Sequence, residues 1–294
     1  MTPEQKEYYF LGASGLVGSQ VVETYGNEET NIIAPSAGEL DIRDRDAVFQ
    51  ALAETDADVI VNFVAYADVD GAQKHPKEAW ELNVAGLKNL VEAAALEGKH
   101  LITIGTDFEF DGLTTHPGPY NENDTQVDLT HIGTYGQTKI EGYRRIKNSG
   151  ADVTYIRIAY PFGNPRSERD YVKRELEYIK KEYGLFTDQW FTPTYIPDLA
   201  LALDKVSQDR ITGTFHVACN PPTTHYEFGL YLASKLDLKE PVKEGSFDEF
   251  MKVRGRTPRP KFGGLNTKFT QNALGIRFHS WQGALDEYLL RVSV

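Results

Sequence analysis

An apolar run, Tyr8-Tyr9-Phe10-Leu11, leads directly into Gly12-Ala13-Ser14-Gly15-Leu16-Val17-Gly18 and then into a helical pattern that reaches Tyr25. A strand, a glycine turn and a helix start in that order constrain the chain strongly, because together they build an anion cradle. Gly12 can take the positive φ of a tight turn, Gly15 lets backbone amides approach a pyrophosphate, and Gly18 lets the helix pack closely on the strand. The helix amino terminus then presents unpaired N–H groups and its positive dipole end to the anion. The spacing is G-x-x-G-x-x-G, a variant of the better known G-x-G-x-x-G, and by itself it also fits an ordinary strand-to-helix turn.

The rest of the first half repeats the alternation. Strand-like runs at 31–34, 58–64, 101–105 and 153–158 are separated by helical patterns at 44–54, 76–97 and 135–148. Apolar strands separated by helices predict an α/β fold, a doubly wound parallel sheet covered on both faces, with ligands at the carboxyl ends of its strands. The second half is broken by Pro161, Pro165, Pro193, Pro197, Pro221, Pro222, Pro258 and Pro260, with helical patterns left at 169–181, 197–206, 225–236 and 280–290. The expected organisation is a dinucleotide-binding domain over 1–160 and a smaller α/β substrate lobe over 161–294, with segments around 190–217 returning to the first domain.

Composition removes several alternatives. The 294 residues are 40% hydrophobic, enough for a large core, and the net charge of −12 argues against nucleic-acid and anionic-membrane partners, which need clustered cations. Cys219 is the one cysteine, so no intramolecular disulfide can form, and it reads as a packing residue in a cytoplasmic protein. Neither a membrane span nor a signal peptide is expected. The seven histidines lack metal-ligand spacing, so no metal is expected.

The chemistry concentrates at two places. Gly105-Thr106-Asp107 closes the fourth strand, and Thr134-Tyr135-Gly136-Gln137-Thr138-Lys139 opens a helix, placing Tyr135 and Lys139 four residues apart on one face. A phenol beside an ammonium is a candidate acid catalyst, since a nearby cation eases release of its proton. Alone, the pair is common on protein surfaces; the glycine cradle and the strand-end threonine favour catalysis.

With these motifs in place, the chain resembles the extended short-chain dehydrogenases/reductases and, within them, the dTDP-4-dehydrorhamnose reductase family. The likeness covers nearly the whole chain. It rests further on Leu40-Asp41-Ile42-Arg43-Asp44, Asp58-Val59-Ile60-Val61-Asn62, Leu82-Asn83-Val84-Ala85-Gly86, Thr106-Asp107-Phe108-Glu109-Phe110-Asp111-Gly112, Asp188-Gln189-Trp190-Phe191-Thr192-Pro193-Thr194, Gly213-Thr214-Phe215-His216 and Arg259-Pro260.

The resemblance implies a Rossmann fold and reduction of a nucleotide-linked 4-keto-6-deoxysugar by NADPH or NADH. Gly12, Gly15, Leu16, Val17 and Gly18 would hold the cofactor pyrophosphate, Asp41 and Ile42 the adenine, and Val64, Ala65 and Tyr66 would line the cofactor at the third strand's end. Tyr135 would donate the proton, Lys139 would bind the nicotinamide ribose, and Thr106 would bond the substrate carbonyl. Asp107 and Tyr160 would contact the sugar. Asp41 could instead cap a helix and Tyr160 could be core, while Asn83 reads as a structural hydrogen-bonder within its helix.

Departures from the family pattern are also visible. Asp68-Val69-Asp70-Gly71-Ala72-Gln73-Lys74 has glycine where a lysine is usual and lysine where an acid is usual, Tyr160-Pro161-Phe162-Gly163 puts tyrosine at the sugar-contacting aromatic, and the segment 127–133 looks long. Gln20 stands where some members carry a magnesium-binding glutamate. Ala34-Pro35-Ser36-Ala37-Gly38 ends the second strand without an acid for the ribose diol or an arginine for a 2′-phosphate, a weak lean towards NADPH with NADH tolerated. Arg166, Arg169, Lys173 and Arg174 form a basic cluster that could hold a substrate diphosphate, Arg166 foremost, or form a solvated helix face paired with Glu168, Glu175 and Glu177. A homodimer is compatible with the chain. Two other functions fit the motifs: an epimerase or dehydratase of the same superfamily, and a regulatory subunit like the methionine adenosyltransferase beta subunit.

Overall fold

The structure is a computed structural model, which describes residues 6–25, 30–125 and 127–292. Six parallel strands form the main sheet: β1 (Lys6–Leu11), β2 (Thr30–Ile33), β3 (Val59–Asn62), β4 (His100–Thr106), β5 (Val153–Ile158) and β8 (Gly213–His216), in the order β2-β1-β3-β4-β5-β8. Register is continuous across the centre, with Leu11 opposite Asn62 and Asn62 opposite Thr103.

The alternation in β1 shows why the sheet must be covered twice. Tyr8 and Phe10 point into one core with Val21, Ile196 and Leu203, whereas Tyr9 and Leu11 point into another with Leu52, Leu90 and Ile42. Successive strand side chains face opposite ways, so an all-apolar strand has no solvent face. Helices α1 (Leu16–Tyr25) and α8 (Ile196–Gln208) cover the first core; α2 (Arg45–Glu54) and α5 (Leu87–Leu96) cover the second. This is the doubly wound fold expected.

Chain order reverses between β1 and β3, and a ligand crevice opens at such a switch point. On its far side the aromatic core of Phe162, Tyr171, Phe191, Phe228, Trp281 and Tyr288 joins α7 (Tyr171–Lys180), α9 (His225–Lys235) and the carboxyl-terminal helix Trp281–Val292. Short pairings tie this lobe together: β6 (Leu185–Phe186) with Glu244–Gly245, and β7 (Trp190–Phe191) with Thr223–Thr224. Cys219 is buried in the same core.

The pattern at 76–97 departs from one uniform helix. Helix α4 (Pro76–Trp80) passes through a π-helical turn, Glu81–Gly86, before α5 begins. Asn83 lies in that turn; its carboxamide accepts from the Tyr66 N–H at 2.8 Å and donates to Thr138 Oγ1 at 2.9 Å. The turn thereby joins the end of β3 to the helix that carries Tyr135: Asn83 is a structural hydrogen-bonder, but across elements rather than within its own helix as its sequence position suggests.

Candidate active site

The glycine turn has the geometry its spacing implies. Gly12 sits at φ +75°, and the Gly15 N–H donates to the Gly12 carbonyl at 3.1 Å. A Cβ on Gly18 would lie 2.4 Å from that carbonyl oxygen, so only a glycine lets α1 approach the turn this closely. A Cβ on Gly12 would meet the Val64 nitrogen at 3.0 Å, which puts the turn against the end of β3. Val64 is fixed there by the Asn62 carboxamide, which accepts from its N–H at 3.0 Å. Tyr66 packs near Tyr135.

At the adenine end, Ile42 is buried and packs over Gly86. Asp41 is clasped by Arg43, with Nη2 to Oδ2 at 2.6 Å; Asp44, not Asp41, caps α2. The first carboxylate after β2, Glu39, accepts from the Ser36 N–H at 2.7 Å.

Thr106, Tyr135 and Lys139 converge where β4 meets α6 (Thr134–Lys147). Thr106 caps the short turn Asp107–Glu109, its hydroxyl accepting from the Phe108 N–H at 3.2 Å. The Tyr135 ring meets the Phe108 ring edge-on, with centroids 5.9 Å apart. Gly136 permits this approach, since a Cβ there would fall 2.2 Å from the Phe108 carbonyl oxygen. Lys139 is buried and donates to the Ile104 carbonyl at 2.6 Å, so other donors of its ammonium stay available for a ligand. Gln73, within the segment 68–74 that departs from the family pattern, accepts from both the N–H and the hydroxyl of Thr134 at 3.0 Å and so braces the start of α6.

Burial controls the protons. It pushes the Tyr135 phenol well above its ordinary value, with the Thr106 hydroxyl opposing, and it lowers Lys139 to about 8, with the Glu109 carboxylate opposing. From the sequence, the Lys139 ammonium is expected to ease release of the phenol proton; desolvation acts in the opposite direction, and the group that lowers the phenol is the Thr106 hydroxyl.

Asp107 is fully buried, and its Oδ2 has no hydrogen-bond partner among the described residues. Burial pushes its carboxyl up to about 7. Tyr160, at the end of β5, holds a positive φ of 43° and packs on Phe191, His225 and Phe108. Both residues expected to meet the sugar therefore stand at the carboxyl ends of central strands.

The folded chain holds a proton on Asp107 between about pH 4 and 7 that the unfolded chain has released, so this group's contribution to stability falls as pH rises through that window. Asp107→Asn is expected to be more stable than the parent at pH 8, by on the order of 4 kcal/mol, with the gap closing towards pH 4. Urea unfolding at pH 4.5 and pH 8 checks this; an equal gap at both would contradict it.

The basic cluster separates in three dimensions. Arg166 is exposed and paired with Glu23 on α1, and Lys173 pairs with Glu168 at 2.7 Å. Arg174 lies over the rings of Tyr171 and Tyr160, at 4.8 and 5.7 Å, and so borders the site.

Three supporting residues went unmarked in the sequence. Asn164, buried, donates to the Leu16 carbonyl at 2.9 Å and to Ser19 Oγ at 2.8 Å, tying the segment after β5 to the glycine turn. Arg157 and Glu109 form a buried ion pair at 2.7 Å. Arg157 was the detectable one: a lone charge within the apolar strand Val153–Ile158 requires a buried partner.

Known proteins resemble this chain over most of its length. The chain is 28% identical over 292 residues to the dTDP-4-dehydrorhamnose reductase of Aggregatibacter actinomycetemcomitans, covering 93% of this chain and 95% of the relative. It is 29% identical over 243 residues to Methionine adenosyltransferase 2 subunit beta of Bos taurus, covering 77% and 71%. The crystal structure of dTDP-4-dehydrorhamnose reductase from Bacillus anthracis in complex with NADP superposes with a TM-score of 0.88 at 26% identity, covering 98% and 99%. The family model for the RmlD substrate binding domain matches residues 6–294, and the chain belongs to that family.

Proposed function

We propose that this chain is an NAD(P)H-dependent reductase of a nucleotide-linked 4-keto-6-deoxysugar, giving dTDP-L-rhamnose or a related sugar. The observation that carries the reading is the convergence of Thr106, Tyr135 and Lys139 beside a glycine cradle at the sheet's switch point.

A dinucleotide fits the residues present. Gly12, Gly15, Leu16, Val17 and Gly18 would hold its pyrophosphate, Asp41 and Ile42 its adenine, Val64, Ala65 and Tyr66 its middle, and Lys139 its ribose. When bound, it supplies the hydride. Tyr135, kept protonated by burial, gives its proton to the carbonyl oxygen as charge develops there. Thr106 offers a second hydroxyl donor to the same oxygen. Asp107, Tyr160 and the lobe beyond residue 161 face the sugar, with Arg166 and Arg174 as the cations offered to the diphosphate. The acid-free stretch Ala34–Gly38 favours NADPH with NADH tolerated, and Glu39 is engaged by the Ser36 N–H. The chain has no helix among the described residues long and apolar enough to cross a membrane, and we place it in the cytoplasm, where a homodimer is compatible with its surface.

The test is nicotinamide absorbance with a panel of 4-keto nucleotide sugars, using NADPH and NADH in turn. Oxidation stoichiometric with sugar reduced is expected, faster with NADPH. A tightly retained cofactor that returns unchanged would instead indicate an epimerase or dehydratase. Co-purification with a methionine adenosyltransferase, without sugar reduction, would indicate a regulatory subunit.

A further inference from the structure

Behind Thr106 the buried carboxylate of Glu109 takes three hydrogen bonds. Its Oε1 accepts from the Thr106 N–H at 3.1 Å and from the Tyr155 hydroxyl at 2.6 Å, and its Oε2 accepts from Arg157 Nε at 2.7 Å. Glu109 and Arg157 are 3% and 2% exposed, so this is an ion pair inside the sheet's end rather than on its surface. Arg157 is held in turn: Nη1 donates to the Glu122 carbonyl at 3.2 Å and to His216 Nε2 at 3.3 Å. His216 donates from Nδ1 to the Asn266 carbonyl at 3.2 Å, and burial with the adjacent Arg157 holds it far below its usual range, at about 3, so its ring is neutral and can accept from the guanidinium.

Such a pair is a costly way to stabilise a fold, because desolvation of two ions cancels much of their attraction. Its placement suggests another use. Glu109 is the third residue of the turn that Thr106 caps, so the carboxylate closes a reciprocal capping box around the residue expected to touch the substrate carbonyl. It is also the charge that most opposes loss of the Lys139 proton.

We propose that Glu109 is a positioning residue for carbonyl reduction: anchored by Arg157 and Tyr155, its carboxylate fixes the turn that aims the Thr106 hydroxyl. The inference deepens the reductase reading and rests on it for the reaction concerned. Glu109 is the charged group that acts on Lys139, while Glu109 and Asp107 act on Tyr135, Tyr66 packs against Tyr135, and Arg157 and Tyr135 act on Tyr155.

The test compares the full chain with Glu109→Gln, which keeps the shape and an accepting oxygen but loses the charge. The double variant Glu109→Gln/Arg157→Gln, which leaves no unpaired ion, serves if the single one fails to fold. Turnover of the 4-keto sugar should fall roughly 10–100-fold while the KM for the dinucleotide stays within about twofold. In cofactor-free protein, NMR should show the Thr106 amide resonance shifting. Parental turnover, or an unmoved Thr106 amide, would overturn the proposal. A parent chain that reduces none of the sugars would refute the reductase reading, and the Thr106 amide in cofactor-free protein would still decide whether Glu109 holds Thr106.

Discussion

Replacing Tyr135 by phenylalanine is expected to lower ketone reduction roughly 10³-fold while leaving the dinucleotide dissociation constant within about twofold. The phenol stands beside Thr106, and burial keeps its proton in place well above the pH at which the neighbouring Asp107 carboxyl would lose its own. Phenylalanine keeps the ring, and with it the edge-on packing against Phe108, so the loss should fall on kcat rather than on stability. Stopped-flow absorbance with saturating NADPH measures the chemical step, and fluorescence titration measures binding. Turnover near the parental value would remove Tyr135 from the mechanism, and a collapse of dinucleotide binding would reassign it to the cofactor.

Replacing Gly18 by alanine should be damaging in a different way. Its Cβ would lie 2.4 Å from the Gly12 carbonyl oxygen and 2.9 Å from the Ala13 Cα, contacts that backbone atoms cannot relieve without moving α1 away from the turn. Overpacking of this kind costs about 1–3 kcal/mol, more than alanine's helix propensity of roughly 1 kcal/mol over glycine returns. Displacement of the helix amino terminus removes the aligned N–H groups as well, so dinucleotide affinity should drop on the order of 10²-fold. Gly15→Ala separates the two effects. Its Cβ would stand 3.4 Å from the same oxygen, a tolerable contact, so stability should be nearly parental while affinity falls through the crowded approach to the pyrophosphate. Equal melting temperatures for Gly18→Ala and the parent would show that the close packing seen here is not needed.

The parts of the site legible in the sequence share one property: their geometry is local. Gly12, Gly15 and Gly18 act within one short stretch of chain, and Tyr135 and Lys139 share one face because four residues of helix separate them. The alternating elements likewise predicted the doubly wound sheet, since strand period and helix period are properties of short windows. What escaped notice joins distant segments. Glu109 meets Arg157 across 48 positions and Asn164 reaches Leu16 across 148, and neither separation leaves a periodic trace. The π-helical turn at Glu81–Gly86 was hidden for a related reason, because one residue of slippage in a helix barely alters its apolar pattern.

Charge behaved in the same manner. Arg166, Arg169, Lys173 and Arg174 look like one cluster along the chain, yet Arg166 turns to Glu23 on α1 while Arg174 lies across Tyr160 and Tyr171. A linear run of cations states how much charge is present; its direction depends on which acid or ring the fold brings within reach.

The sequence by itself thus determined the cradle, the Tyr135–Lys139 pair, the sheet class and the family to which the chain belongs, because these follow from residue type at short fixed spacings. Only the tertiary structure decided the protonation of the site and its scaffolding. Tyr135 keeps its proton, Lys139 falls to about 8 and Asp107 rises to about 7 because packing strips water from them, and burial is a property of the assembled fold.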